Sequence, residues 1–215
     1  ERVKEMGQEA VAITDHGCMY GVIDFYRACK AAGIKPVIGC EVYVAPRGRT
    51  RFQKVHEFDS HYNHLVLLCR NEEGYRNLSY MVSKGYLEGF YIKPRIDLDL
   101  LREHTGGLIA CSACMSGEVS RLLLAGEYDK AKEVALEMRE LFGEDGYYLE
   151  MQDHGIKAQK QVNASLIRLS EETGIPLIAT NDAHYLRRED AEMQDILMCI
   201  QTGKTLDDPN RMRFE

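Results

Sequence analysis

Six short apolar runs, most of them separated by longer stretches with helical periodicity, set the strongest limit on how this chain can fold. The runs are residues 10–14, 36–44, 64–69, 107–112, 147–151 and 177–179. Apolar runs of this length read as buried strands. Between them, residues 20–32, 71–87, 98–104, 117–125, 129–142 and 157–173 carry helical spacing, and 189–200 forms a last helix. Residues 1–8 read as the final turns of another. Gly33 and Gly174 stand where two of these helices should stop. Asn71 is placed to cap a third, with Glu72 and Glu73 in its first turn. Six strands, mostly separated by helices, imply an α/β fold with parallel pairing and right-handed crossovers. An open doubly wound sheet and a closed β/α barrel both satisfy this pattern. Residues 45–62 are polar, carry Arg47, Arg49, Arg51 and Lys54, and read as a loop. Residues 89–97, with Pro94, read as a connector.

At 215 residues the chain is expected to form one domain with a substantial core. The formal net charge of −7 argues against a surface whose main task is to hold a nucleic-acid backbone. A cleft in which metal ions offset local carboxylates stays open. Seven cysteines, an odd number scattered through apolar runs, fit a reducing cytoplasm better than a disulfide framework. No apolar run approaches the ~20 residues of a membrane helix, and no signal peptide is expected. The chain opens on Glu1-Arg-Val-Lys-Glu5 without an initiator Met, so it is expected to be part of something longer.

Residue types that bind metals gather at the ends of the apolar runs. Asp15 and His16 follow the first, Glu41 lies late in the second, and Cys114 follows the fourth. Asp153 and His154 follow the fifth, and Asp182 and His184 the sixth. In a β/α barrel such ends converge on one face. Asp182 and His184 are two apart, so in extended chain they point the same way. His64 is the exception, since it opens its strand and needs the chain to enter the site from the loop. A carboxylate inside an apolar strand, as at Glu41, requires a positive partner or a metal. Bland readings stand beside these: His16 bonding a turn, Cys114 as a packed thiol, Asp153-His154-Gly155 as a strand terminator, and the arginines of 45–62 as a solvated loop. Cys111 and Cys114 form a C-x-x-C, a redox pair or half of a zinc site, but no second such pair exists. Gly203-Lys204-Thr205 lacks the preceding glycine of a phosphate-binding loop and follows a helix instead of opening one.

Ala12-Ile-Thr-Asp-His-Gly17, Gly39-Cys-Glu41, Asn63-His-Leu-Val-Leu-Leu68 and Thr180-Asn-Asp-Ala-His184 resemble motifs of the polymerase and histidinol phosphatase (PHP) family. Three longer strings are similar to the PHP domains of the alpha subunits of bacterial DNA polymerase III, of the type with no inserted exonuclease. They are Leu87-Glu-Gly-Phe-Tyr-Ile-Lys-Pro-Arg-Ile-Asp97, Cys111-Ser-Ala-Cys-Met-Ser-Gly-Glu-Val119 and Gln201-Thr-Gly-Lys-Thr-Leu-Asp-Asp-Pro-Asn-Arg-Met-Arg-Phe214. The resemblance covers essentially the whole chain.

It implies a distorted seven-stranded, TIM-like β/α barrel. The first strand, which carries a His-x-His motif in the family, is expected upstream of residue 1. The chain is then one PHP domain, residues 1–215, cut at its N-terminus and again before the polymerase palm. The resemblance maps metal contacts onto His16, Glu41, His64, Cys114, Asp182 and His184, with Asp182, His184 and His16 central to catalysis. It gives Asp15 the role of orienting an imidazole. Two or three divalent ions, zinc or manganese, are implied, with magnesium serving the parent polymerase. The implied activity is metal-dependent phosphoester hydrolysis, as a 3′–5′ exonuclease, or else a docking role for a separate proofreading exonuclease subunit. Implied partners are DNA and the other replicase subunits, in the bacterial cytoplasm and with no membrane. A free-standing PHP phosphatase acting on a small phosphate ester is the alternative.

Overall fold

The computed structural model describes residues 1–212; Arg213 and Phe214 of the last motif lie outside the described residues. The chain divides into two compact units, Val3–Thr180 and Asn181–Glu215. The first unit begins with helix α1 (Arg2–Glu5), strand β1 (Ala10–Ile13), helix α2 (Val22–Ala32) and strand β2 (Lys35–Val44). A short helix α3 (His56–Asp59) precedes β3 (Asn63–Cys69), α4 (Glu72–Leu87), β4 (Arg95–Ile96), α5 (Leu98–Glu103) and β5 (Leu108–Cys111). Helices α6 (Glu118–Leu124) and α7 (Tyr128–Phe142), β6 (Tyr147–Met151), α8 (Lys157–Thr173) and β7 (Leu177–Ala179) complete it. The second unit holds a 3-10 turn (Arg188–Asp190) and helix α9 (Ala191–Thr202).

The expected stop and cap signals hold. Gly33 ends α2 in the left-handed conformation, φ 73°, and Asn71 Oδ1 accepts a hydrogen bond from Gly74 N at 3.0 Å.

The seven strands form one mixed sheet curled into a half-barrel, in the order β1-β2-β3-β5-β6-β7, with β4 paired to β2. Two expectations need correction. Pairing is not uniformly parallel: β3 runs antiparallel to both β2 and β5, while β1·β2, β2·β4, β5·β6 and β6·β7 are parallel. A parallel crossover needs a helix long enough to return the chain along the sheet. Residues 45–62 supply only the four-residue α3, so the chain turns back beside the strand it has just left. The 89–97 connector also contains the short strand β4, which lies against Tyr43 and Val44.

Strand alternation divides the sheet's two faces. Cys40, Val42 and Val44 of β2 and Leu65 and Leu67 of β3 join the core with Leu78 and Met81 of α4, Ala135 and Met138 of α7, and Leu166 and Leu169 of α8. Each fully buried side chain of this kind contributes roughly 1.5–3 kcal/mol. Glu41 and Tyr43 of β2, and His64 opposite Tyr43, therefore project from the other face.

The 45–62 segment is not a free basic loop. Arg95 is fully buried, with its guanidinium 3.2 Å from the equally buried Asp59 carboxylate, and it donates to the carbonyls of Arg51 and Gln53. Arg47 pairs with Glu118 and Glu137, and Arg51 with Asp97 and Glu88. Arg49 lies 3.7 Å from Asp59 and over the Phe58 ring. These three arginines fasten the segment to the body of the unit, so they act as staples for the fold.

Candidate metal centre

Glu41 is the centre of a three-residue cluster. Its carboxylate, 5% exposed, receives His16 Nδ1 on one oxygen at 2.7 Å and His64 Nδ1 on the other at 2.8 Å. One ligand atom from each residue lies within 4.8 Å of the others. His16 reaches this point because the β1·β2 register continues past the end of β1, where His16 bridges to Glu41. Glu41 N donates to Asp15 O, and Gly17 N donates to Glu41 O, which ties the turn after β1 to β2 on both sides.

His64 arrives from the opposite direction. As the second residue of an antiparallel strand it pairs with Tyr43, so it is a diagonal neighbour of Glu41 on one face. The chain reversal therefore brings a strand-opening histidine to the same region as residues late in β2. Tyr43 and Tyr62 flank the His64 ring, with centroids 5.3 and 5.9 Å away.

Cys114 completes the group. Its Sγ lies 3.8 Å from Glu41 Oε1 and 3.7 Å from His64 Nδ1, and Ser116 N donates to it at 3.4 Å. The turn that aims it is tight. Ala113 takes φ 62°, and a Cβ on Gly117 would sit 2.0 Å from Ser112 O, so no larger residue fits there. Cys111, its partner in the C-x-x-C, is instead a core residue of β5 whose thiol burial pushes up to about 12. The two thiols therefore stand in separate environments, one in the core of β5 and the other beside Glu41.

Burial alone would raise the Glu41 carboxyl. Hydrogen bonds from His16 and His64, with their charge, outweigh it and hold the group at about 2. A buried anion faced by two imidazoles and a thiol is a donor set suited to a divalent ion. Imidazole and thiolate favour zinc, and carboxylate accepts manganese as well. Ligand atoms on one zinc at ~2.0–2.3 Å can stand up to roughly 4 Å apart, so the observed cluster needs little contraction to fit.

Asp15 contributes through its backbone: its carbonyl accepts from Glu41 N and from Cys40 Sγ. Among the described residues no hydrogen bond joins its carboxylate to an imidazole. Asp153 and His154 are held in their own turn, where Asp153 Oδ1 accepts from Gly155 N and the buried Gln159 brackets His154. Asp182 and His184 belong to the second unit. Asp182 takes φ 45°, and its carbonyl accepts a 2.7 Å hydrogen bond from His184 Nδ1. A carbonyl only accepts, so Nδ1 carries the proton and Nε2 has the ligating lone pair.

Tyr43 and Tyr62 were not anticipated as parts of the site. Period-2 alternation along β2, which places Tyr43 on the face of Glu41, is the signal that identifies the first of them.

Comparison with known proteins bears on this arrangement. A model of the PHP domain matches residues 1–154. DNA polymerase III subunit alpha of Treponema pallidum is 50% identical over 212 residues, covering 99% of this chain. That of Borreliella burgdorferi is 46% identical over 214 residues, covering 100% of it. The chain spans 18% of the length of each of these relatives. Among solved structures, an amidohydrolase from Chromobacterium violaceum superimposes with TM-score 0.48 at 13% identity, covering 88% of this chain and 81% of that one.

Proposed function

The chain belongs to the PHP domain family, and on that premise we propose that it is the PHP portion of a DNA polymerase III alpha subunit and a divalent-metal phosphoesterase module within it. The observation that carries the reading is Glu41 bracketed by His16 and His64, with Cys114 alongside. Identity of 40–50% to alpha subunits supports the parent assignment. Nucleotide polymerisation with magnesium, DNA, a proofreading exonuclease subunit and other replicase subunits then belong to the longer protein, in the bacterial cytoplasm. Among the described residues no helix is long and apolar enough to cross a membrane.

In this proposal His16, Glu41, His64 and Cys114 hold zinc or manganese, and Asp182 and His184 are a further pair of ligand candidates. Bound metal supplies a water of lowered pKa and an electrophile for phosphoryl oxygens. The chain's own residues do the rest. Glu41 keeps its charge because its two imidazoles fix it. Tyr62 stacks on the His64 ring and Tyr43 meets it nearly at right angles, which holds the imidazole in place. Ser116 N–H donates to the Cys114 sulfur and holds it beside Glu41. His184, oriented by the Asp182 carbonyl, presents Nε2. The reaction class is hydrolysis of a phosphodiester at the 3′ end of a single strand.

The test is 3′–5′ exonuclease activity on a labelled single-stranded oligonucleotide, with the full-length protein carrying zinc or manganese. Asp182→Ala should abolish turnover while circular dichroism and melting stay as in the wild type. An unchanged rate rejects the site. Turnover of a small phosphate monoester with none of the oligonucleotide would favour the phosphatase reading.

A further inference from the structure

We propose that Lys93 is a substrate-contacting residue of this centre, whose ammonium binds a non-bridging oxygen of the phosphate being hydrolysed; this rests on the phosphoesterase reading above. Three observations converge on it.

The first is position. Lys93 Nζ lies over the face of Tyr43, 5.5 Å from its centroid. The same ring stands 5.3 Å from His64 and 6.4 Å from His16. The neighbouring Pro94 is packed against the turn that carries His16: a Cβ on Gly17 would come within 3.0 Å of Pro94 Cγ and 2.7 Å of the Tyr43 ring. One aromatic ring thus borders both histidines and the ammonium.

The second is charge. Among the described residues Arg47, Arg51 and Lys84 each form ion pairs. Lys93 makes no ion pair there. A cation held on an aromatic face keeps its three N–H donors for an anion, because the ring attracts the charge without accepting its protons as a carboxylate does.

The third is the backbone. Ile92 takes φ 64°, a left-handed conformation that a β-branched residue avoids. Tyr91 and Lys93 close the turn around it with reciprocal backbone hydrogen bonds of 3.0 and 2.6 Å. Arg95, buried two residues on, anchors the far side, and His56 bonds the Tyr91 hydroxyl at 3.1 Å. The strained turn is held from both ends, and what it delivers is the Lys93 side chain.

The chemistry recognised is a phosphate oxygen, whether in a nucleic-acid strand or in a small ester. The experiment measures binding of a fluorescent single-stranded oligonucleotide, and separately of inorganic phosphate, to the full-length protein. Wild type, Lys93→Met and Lys93→Arg are compared across a salt series, with metal content recorded for each. Lys93→Met should weaken oligonucleotide binding about 10-fold at low salt. It should also reduce the slope of log K against log salt by about 0.7, the loss of one phosphate contact on a single strand. Lys93→Arg should restore both, and metal content should not change. Weakened phosphate binding with unchanged oligonucleotide binding assigns the contact to a small ester. Unchanged affinity for both ligands and an unchanged slope, with metal retained, overturns the role of Lys93 and leaves the phosphoesterase reading standing. A lowered melting temperature with no change in slope shows a packing role and overturns it too. A wild type that takes up no metal overturns both proposals.

Discussion

His64 and Glu41 are joined by a 2.8 Å hydrogen bond across 23 residues of sequence because β3 lies antiparallel to β2. The two residues sit diagonally on one sheet face, and His16 closes the other carboxylate oxygen. The bonds hold the Glu41 carboxyl at about 2 in the folded chain against a value of 4.5 unperturbed. Its stabilisation is therefore present above the unfolded value and is lost as pH falls through the interval from about 4.5 to about 2. In metal-free protein, Glu41→Gln should flatten the dependence of urea stability on pH across that interval. A variant whose profile follows that of the wild type there would contradict the geometry described.

Cobalt substitution reports on Cys114. With the thiol in the donor set, cobalt-loaded protein should show an intense near-ultraviolet thiolate-to-metal band. Cys114→Ser should lose that band and keep the weaker visible ones. Persistence of the band in Cys114→Ser would assign it to another cysteine and remove Cys114 from the centre.

Asp59 and Arg95 are both fully buried, and each is the other's ionic partner. Asp59→Ala leaves the Arg95 cation buried and uncompensated, and should cost about 3–5 kcal/mol in urea unfolding. The double change Asp59→Leu with Arg95→Met should recover most of that loss. A cost below about 1 kcal/mol for the single variant would mean that water reaches this pair.

Burial pushes the thiol of Cys69 up to about 11 and that of Cys111 up to about 12. Both should resist iodoacetamide at pH 8 in native protein and react readily once urea unfolds it. The Cys69 rate should climb about tenfold per pH unit between 8 and 10, read by peptide mass spectrometry. Equal labelling of native and unfolded protein at pH 8 would count against the packing around β3 and β5.

Much of this architecture was legible in the residues. Strands β1, β2, β3, β5, β6 and β7 begin and end within a residue of the expected runs, since apolar continuity marks a strand, but the expected burial fails for β1 and β7, whose residues are exposed or half-buried. Glu41 stood out for a related reason: a carboxylate inside an apolar strand is costly to bury unless it holds a partner or an ion. The direction of β3 was not legible. It depends on what the preceding segment lacks, a helix able to return the chain, and a polar stretch with scattered arginines says little about that. The fate of Arg47, Arg49 and Arg51 was hidden because partners such as Glu137 and Asp97 lie 90 and 46 residues away. A strand as short as β4 has no periodicity to detect. Tyr43 was passed over because an aromatic in an apolar strand looks like core until its face is known.

The reversed strand makes one ligand answer to a different register from the other two. His16 and Glu41 are set by two parallel strands, whereas His64 is set by the antiparallel pairing that seats it opposite Tyr43. A slip of β3 against β2 would shift a single donor while the other two stay put. A lineage could in this way retune its choice of ion, or discard the chemistry, without rebuilding the scaffold that holds the remaining ligands.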